Sequence, residues 1–454
     1  MTRPFSSTSE PGLFAPMFST PDAAAGTGRG AWVQAMLDFE AALARAQARA
    51  GLVPESAAAQ IARHCRAEEF DLESLAQRAV SSATPVIGLV ADLGELVPAD
   101  ARPYVHNGAT SQDVLDTAAM LVARRTLRGV LADLRSAAGH CARLAGEHRG
   151  TVMIGRSLLQ QALPTTFGRR CAAWLTALSE STEQLERVFT TRLAVQLGGP
   201  AGTLDSLGDR GVEVLGHLAA ELELAEPVLP WHTDRTRIAE LAGALGTVAG
   251  GLGKIALDVE LHAQTEIGEL TEGSSGGSSA MPHKQNPAGS VLISAAAHRV
   301  PGLVSSLLAA MPQAHERAAG AWQSEWEPLS ELLRLVAAAA AGTDRLLANL
   351  RVHPEGMASN VDLTGGLVLA AAASSALLGS MGRGAAQQLV KELCERVVER
   401  GTSLRAELIA DERVREVLSE QEIIRATEPG DNLGSAGAFI DRALALHEAG
   451  GNSP

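Results

Sequence analysis

The stretch LAGALGTVAGGLGKIALDV, residues 241–259, carries the clearest structural pattern in this chain of 454 residues. Its large apolar residues are separated by alternating steps of four and three, so they form a seam that repeats every seven residues. The seam residues are Leu241, Leu245, Val248, Leu252, Ile255 and Val259. The seam continues toward Glu269 and predicts a helix of about 30 residues, roughly 45 Å long. A helix of that length is typical of a helix bundle.

The same stretch is rich in glycine, which disfavours a helix interior by about 1 kcal/mol per residue relative to alanine. The glycines are Gly243, Gly246, Gly250, Gly251 and Gly253. Their presence is understandable if neighbouring helices approach closely at this seam. We therefore expect a core of long, tightly packed helices that is shared between subunits.

Helical spacing recurs along the chain, whereas the patterns of β-sheets are nearly absent. Aromatic residues make up 3% of the chain, with a single Tyr. Apolar residues at helical spacing occur at 127–134 and 167–178. Pro and Gly positions predict helices over about 31–50 and 55–80, a region of long helices over about 112–350, a break at 351–357 and a smaller helical segment to about 450. The sequence predicts an all-α protein.

Composition excludes several classes of function. The chain has 38 Lys and Arg against 52 Asp and Glu, a formal charge of −14, and no long basic run, so a nucleic-acid-binding protein is not expected. Its 4 Cys are far apart, which argues against a disulfide scaffold and favours a cytoplasmic location. The N-terminus lacks the apolar region of a signal peptide. Residues 363–382 carry no charge, but their Ala, Gly and Ser content favours a buried helix over a membrane span.

The segment GSSGGSSAMPHKQNP, residues 273–287, combines a flexible Gly/Ser half with a rigid half rich in hydrogen-bond donors. It offers a hydroxyl at Ser278 or Ser279, a cation at Lys284 and an amide at Asn286. A plain linker is the alternative interpretation, but a linker does not require these donors. Backbone N–H groups and Lys284 together can hold an anion and stabilise a serine alkoxide, so we expect chemistry here.

Two further polar segments do not fit a helical core. In HNGATSQD, residues 106–113, capping of a helix that begins near Val114 explains one residue but not the whole set. Paired hydroxyls at Thr110 and Ser111 on a helix N-terminus favour a carboxylate site. In GRSLLQQALP, residues 155–164, three polar residues interrupt an apolar pattern. His262, Glu266 and Glu269 have metal-ligand spacing on a helix, although a solvated or salt-bridged face is the preferred interpretation.

The three segments, in this order, resemble the shared regions of the aspartase/fumarase superfamily. SSAMPHKQNP, residues 278–287, is similar to its signature loop at ten positions. The opening run at 13–20, PWHTDRT at 230–236 and AWQSEW at 321–326 are most similar to the branch of 3-carboxy-cis,cis-muconate cycloisomerases, which includes nitrosuccinate lyase relatives.

The resemblance implies a three-domain fold with the central long helices packed into a 20-helix core of a homotetramer. We assign residues 1–107 to an N-terminal helical domain, 108–357 to the central bundle and 358–454 to a C-terminal helical domain. The resemblance further implies active sites shared by three subunits, a small di- or tricarboxylate substrate, and no metal or organic cofactor. Neither a nucleic-acid nor a membrane partner is expected.

The resemblance also assigns roles to matched positions. Ser278 is expected to be the general base that removes a proton beside a carboxylate. Lys284 and Asn286 are expected to hold the resulting doubly charged carboxylate, and Thr110 and Ser111 a second carboxylate. Further substrate contacts are expected at His106, Asn107, Arg156, Ser157, Gln160, His232, Arg235, Ser279 and Met281.

One departure from the family concerns the leaving group. Fumarases and adenylosuccinate lyases carry Thr-His in the second region, where the chain has Ser157-Leu158. Leucine cannot donate a proton, so a good leaving group is favoured. The leading hypothesis is lactone formation and opening, as in 3-carboxy-cis,cis-muconate cycloisomerase. The alternatives are a fumarate-releasing lyase, with nitrosuccinate as the best candidate substrate and adenylosuccinate disfavoured, and a helical scaffold without activity. His106 or His232 remains an alternative proton donor.

Overall fold

Long helices dominate the computed structural model, which describes residues 12–273, 276–277, 281 and 284–451. The helices before residue 111 are α1 (Pro21–Thr27), α2 (Arg29–Arg49), α3 (Glu55–His64), α4 (Leu72–Ser82) and α5 (Val86–Leu96). The middle of the chain contains α6 (Ser111–Glu147), α7 (Phe167–Thr191), α8 (Gly211–Leu222), α9 (Thr236–His262), α10 (Ala288–Ala309) and α11 (Trp326–Ala348).

Shorter helices complete the chain. They are α12 (Pro354–Asp362), α13 (Ala370–Met381), α14 (Arg383–Arg400), α15 (Leu404–Ala410), α16 (Glu412–Arg415), α17 (Glu420–Ala426) and α18 (Ala436–Gly451). The described strands are few and short: β1 (Val152–Ser157), β2 (Gln160–Thr166), β3 (Leu270–Thr271), β4 (Gly276–Gly277), β5 (Gln285–Asn286) and β6 (Arg351–Val352). They pair antiparallel as β1 with β2, β3 with β6 and β4 with β5. The predicted all-α class is confirmed.

The chain divides into two compact units. The first contains residues 1–134, 180–253 and 292–342, and the second contains residues 135–179, 254–291 and 343–454. Each of the helices α6, α7, α9, α10 and α11 contributes residues to both units. The assignment of three domains stays a prediction.

The apolar seam of α9 is buried as predicted, since each of its six residues is at most 1% exposed. Two glycines on this helix lie where a side chain would meet α10. A Cβ on Gly253 would come within 2.8 Å of Ala297 Cβ, and one on Gly246 within 3.3 Å of Val304 Cγ2. Gly243, Gly250 and Gly251 have no such neighbour among the described residues. Close approach of α9 and α10 therefore accounts for two of the five glycines.

Three predicted boundaries were wrong. Helix α9 ends at His262 rather than near Glu269, and the predicted helix over 55–80 is two helices, α3 and α4. The uncharged stretch 363–382 is not one buried helix, because Gly365 and Gly366 adopt positive φ angles of 61° and 82° before α13 begins. Left-handed backbone of this kind interrupts a right-handed helix and is accessible mainly to glycine.

Two described helices, α9 and α10, are long and apolar enough to cross a membrane by length and composition alone. Half of the apolar window of α9 is buried within the chain, but only 22% of that of α10. The helix α12 and residues 367–381 would add a third span only if counted together across a bend of 78°. Helix α10 therefore exposes apolar residues, including Val291 and Leu308.

Candidate active site

In the first unit, the buried carboxylate of Asp113 joins two of the predicted segments. It accepts a hydrogen bond from His232 Nε2 at 2.7 Å and others from the backbone N–H groups of Thr110, Gly198 and Gly199, each at 3.0 Å. Asp113 is fully buried and His232 is 4% exposed. Segments 106–113 and 230–236 therefore meet, although the two side chains are separated by 119 positions in sequence.

Thr110 and Ser111 lie where the sequence predicts them, at the start of α6. Both are half-buried, and neither hydroxyl makes a hydrogen bond with another described residue. The N–H groups at a helix N-terminus carry partial positive charge and favour anions. The two hydroxyls and this helix end are chemically suited to a substrate carboxylate, a role that stays a prediction.

His106 and Asn107 are held by side chains of α2. His106 has a positive φ of 57°, and its Nδ1 lies 2.6 Å from Oε1 of the buried Glu40. Burial opposes protonation, but the charge and hydrogen bond of Glu40 raise the pKa of His106 above its ordinary value. Asn107 exchanges hydrogen bonds with Gln47 through its carbonyl oxygen and its side-chain amide.

Arg235 is 2% exposed and lies between two carboxylates. Its guanidinium donates to Asp116 at 2.8 and 3.0 Å and to Glu325 at 3.0 and 2.6 Å. Burial would lower the pKa of Arg235, but Asp116 and Glu325 together raise it. Trp322 Nε1 also donates to Asp116, at 3.0 Å. This network joins the runs 230–236 and 321–326, while substrate contact by His232 or Arg235 stays a prediction.

In the second unit, segment 155–164 belongs to a β-hairpin, which the sequence did not predict. Ser157 pairs with Gln160 across a two-residue turn formed by Leu158 and Leu159. The two leucines have φ angles of 49° and 65° and are 96% and 79% exposed. Leucine in the left-handed region is strained, so this turn is unusual. Ser157 and Gln160 are exposed on either side of the turn, and the side chains of the two turn leucines carry no proton donor.

Arg156, at the base of this tip, forms a bidentate ion pair with Glu269, with distances of 3.1 and 2.9 Å. Glu269 is fully buried and also accepts from His262 Nδ1 at 2.5 Å and from Asn360 Nδ2 at 2.8 Å. Burial alone would raise the pKa of Glu269, but these donors lower it from 4.5 to about 2. The pair of His262 and Glu269 confirms a salt-bridged arrangement, although Glu269 lies beyond the end of α9.

The signature segment, residues 273–287, is described only in part. Ser278 and Ser279 lie outside the described residues. Of the other predicted site residues in this segment, Met281 and Lys284 are exposed and Asn286 is half-buried. No hydrogen bond joins Lys284 or Asn286 to Ser157 or Gln160 among the described residues.

The described residues of the signature segment and those beside it make defined contacts. Gly276 pairs with Asn286 and Gly277 with Gln285, so β4 and β5 bring both limbs together. The buried carboxylate of Glu272 accepts hydrogen bonds from the backbone N–H groups of Gly289 and Ser290 at 2.9 and 2.8 Å, and from Ser290 Oγ at 2.6 Å. Glu272, which directly precedes the segment, thereby caps the start of α10.

Five buried carboxylates organise these groups, and their roles were not predicted from the sequence: Asp113, Asp116, Glu269, Glu272 and Glu325. Asp113 follows Thr110 by three positions at a helix start, which was the one available signal. Within the described ranges, no cluster of three or more His, Cys, Asp or Glu residues is arranged to hold a metal ion.

The helical architecture and the three polar segments, 106–113, 155–164 and 273–287, define a lyase of the aspartase/fumarase superfamily. Comparison with known proteins supports the same assignment. The sequence model of the lyase family matches residues 24–302, and that of the adenylosuccinate lyase C-terminus matches residues 366–443. The chain belongs to this superfamily, in the branch that resembles 3-carboxy-cis,cis-muconate cycloisomerase.

Individual relatives support the branch. The chain is 47% identical to a 3-carboxy-cis,cis-muconate cycloisomerase of Pseudomonas aeruginosa over 428 residues. This match covers 93% of each of the two chains. It is 42% identical over 450 residues to a nitrosuccinate lyase of Streptomyces davaonensis, with 95% of this chain and 94% of that one covered. Its fold matches the crystal structure of a 3-carboxy-cis,cis-muconate lactonizing enzyme of Pseudomonas putida with a TM-score of 0.92 at 41% identity, over 96% and 99% of the two chains.

Proposed function

We propose that the chain is a cofactor-independent enzyme that catalyses elimination and addition next to a carboxylate, as a 3-carboxy-cis,cis-muconate cycloisomerase does. The observation that carries this proposal is the identity of 47% to a cycloisomerase across 93% of both chains. The substrate is accordingly a small di- or tricarboxylate. The four free cysteines are compatible with the cytoplasmic location that we propose.

In this proposal Ser278 takes a proton from the carbon beside a carboxylate of the lactone. Lys284, Asn286 and backbone N–H groups hold the doubly charged carboxylate that forms, because this species is the costly one to stabilise. The bond between carbon and the lactone oxygen then breaks, and the oxygen leaves as a carboxylate. In the reverse direction that carboxylate adds to the double bond, and the Ser278 hydroxyl returns the proton to carbon.

The hairpin tip favours a leaving group that needs no acid. The resemblance to fumarases and adenylosuccinate lyases implies that Leu158 occupies the position of their histidine, and neither Leu158 nor Leu159 can donate a proton. A carboxylate is a weak base and leaves without protonation. Nitrite has the same property, and a relative with 42% identity is named nitrosuccinate lyase, so release of nitrite and fumarate from nitrosuccinate is the second candidate function.

We further propose that the chain forms a homotetramer with a 20-helix core and sites shared by three subunits. Helix α10 supports this proposal, because it is apolar and only 22% of its apolar window is buried within the chain. Apolar surface of that extent is typical of an interface. Light scattering on the purified protein should give a mass of four chains. A monomer, or a protein that requires detergent, would contradict the tetramer.

The test of the activity is a substrate panel followed by ultraviolet absorbance. With 3-carboxy-cis,cis-muconate we expect the absorbance of the conjugated diene to fall as the lactone forms. With nitrosuccinate, a rise in fumarate absorbance accompanied by nitrite would instead support the second candidate. If neither compound is converted, the catalytic proposal fails and a helical scaffold without this chemistry is favoured.

A further inference from the structure

Glu269 gathers donors from three separate parts of the second unit. Its carboxylate accepts from Arg156 on β1, from His262 at the end of α9 and from Asn360 on α12, at distances of 2.5–3.1 Å. The side chain is fully buried. This carboxylate fixes Arg156 and His262 most strongly, because neither side chain has another hydrogen-bond partner among the described residues. Asn360 Nδ2 also donates to the backbone oxygen of Ile267 at 2.7 Å.

We propose that Glu269 is a positioning residue, which holds the β1–β2 hairpin in place through Arg156. This inference rests on the proposed function, in which Ser157 and Gln160 at the hairpin tip face the substrate. Both terminal nitrogens of Arg156 are bound to Glu269, and the Arg156 side chain is 18% exposed. Arg156 therefore acts by placing its neighbour Ser157 rather than by binding the substrate directly.

The contacts form a closed cycle at the base of the tip. Arg156 pairs with Gln161 across the hairpin, and Gln161 Nε2 donates to the backbone oxygen of Asn360 at 2.8 Å. Asn360 in turn donates to Glu269, which binds Arg156. Both strands are thus held at the pair of Arg156 and Gln161, which is the second residue pair from the turn. Loss of the Glu269 charge opens this cycle at two of its links.

The hairpin needs an anchor outside its own turn. Two-residue turns of this kind favour residues such as Asn and Gly, which tolerate positive φ. Leu158 and Leu159 both occupy that region and are exposed, so the turn sequence does not stabilise the closed hairpin. Further from the turn, Ile154 of β1 packs with apolar residues, namely Val361, Val368 and Leu369. The ion pair of Arg156 is therefore the contact that we expect to hold the residues next to the turn.

A double-mutant cycle tests this role. We expect Glu269→Gln and Arg156→Gln each to lower kcat/KM by about tenfold or more, because small displacements of substrate-facing groups are costly. If Arg156 acts through Glu269, the kcat/KM of the double variant should be no lower than that of the less active single variant. Losses that multiply in the double variant would show that Arg156 contacts the substrate by itself and would overturn the proposal.

A second readout does not depend on turnover. Hydrogen exchange of the peptide that spans residues 152–166 should be faster in Glu269→Gln than in the unmodified protein. Asp258→Asn is the matched control, since Asp258 is also a buried carboxylate of the second unit and accepts from Trp174 Nε1 at 2.8 Å. This control should lose thermal stability without faster exchange in the hairpin.

The outcomes separate this inference from the proposed function. Unchanged hairpin exchange in Glu269→Gln would overturn the anchoring role whatever the activity. Faster exchange in a protein that converts no carboxylate substrate would support the anchoring role while the proposed function fails. Equally fast exchange in Asp258→Asn would show general loosening of the unit and would also overturn the inference.

Discussion

The Nε2 atom of His232 lies 2.7 Å from Oδ1 of Asp113, and both side chains are almost completely buried. A carboxylate can only accept a hydrogen bond, so Nε2 of His232 is the donor in this contact. Nδ1 is the other nitrogen of the ring. Asp113 also accepts from the backbone of Thr110, which begins the predicted carboxylate site. One buried charge thus fixes the ring of His232 and the start of α6 together.

We expect Asp113→Asn to destabilise the protein by about 2–5 kcal/mol, because the amide cannot accept all four hydrogen bonds and its NH₂ group faces other donors. Chemical denaturation measures this change. Asp92→Asn is the control, since Asp92 pairs with Arg78 in a partly exposed ion pair and should cost less than about 1 kcal/mol. Equal effects of the two substitutions would mean that the Asp113 network adds nothing to stability.

Because the pKa of Glu269 is lowered, we expect the free energy of unfolding to depend on pH in the acid range. Its pKa is lowered to about 2, so its ionised form stabilises the folded state above the ordinary carboxyl pKa of 4.5. That contribution, on the order of 3 kcal/mol, is lost progressively as pH falls from about 4.5 toward 2. The difference in unfolding free energy between the unmodified protein and Glu269→Gln should therefore shrink over this range. A difference that is independent of pH would contradict this origin.

The long helices could be predicted from sequence because their signal is local and repeated. All six seam residues of α9 are buried, and the start of α6 was placed within three residues of Ser111. The end of α9 could not be placed, because the apolar pattern continues past His262 while the chain turns back. Gly268, with φ of 60°, lies in that turn.

The hairpin and the buried carboxylates could not be predicted, for different reasons. The turn of Leu158 and Leu159 lacks the Gly or Asn that is typical of a two-residue hairpin turn. Without that turn signal, the sequence did not indicate that residues 152–166 form two paired strands. Asp113 and His232 are 119 positions apart, and no local pattern reports such a contact. The segments of the candidate site were therefore visible in the sequence, but the charges that hold them were not.

Placing a histidine at the hairpin tip tests the nature of the leaving group. If the leaving group needs no acid, Leu158→His should change kcat by less than about threefold in either direction. Leu159→His is the matched control, because Leu159 is also exposed and left-handed at the same tip. A gain of about a hundredfold in Leu158→His alone would show that the reaction lacks a proton donor.

Lys284→Met should raise KM and lower kcat together, the latter by about 100-fold, since a cation that contacts the substrate carboxylate strengthens its hold as charge develops. Steady-state kinetics measure both values. Lys391→Met removes an exposed lysine of α14 and should leave both unchanged. An effect of Lys284→Met on thermal stability alone would assign Lys284 a structural role.

The most direct test of the proposed chemistry is the turnover number of Ser278→Ala with the substrate that the unmodified protein converts. We predict a loss of about 10³-fold or more in kcat with an unchanged molecular mass in solution, because no other group replaces the base. Ser380→Ala, which alters an exposed serine of α13, should retain full activity. Turnover of Ser278→Ala close to that of the unmodified protein would contradict the assignment of Ser278 as the base.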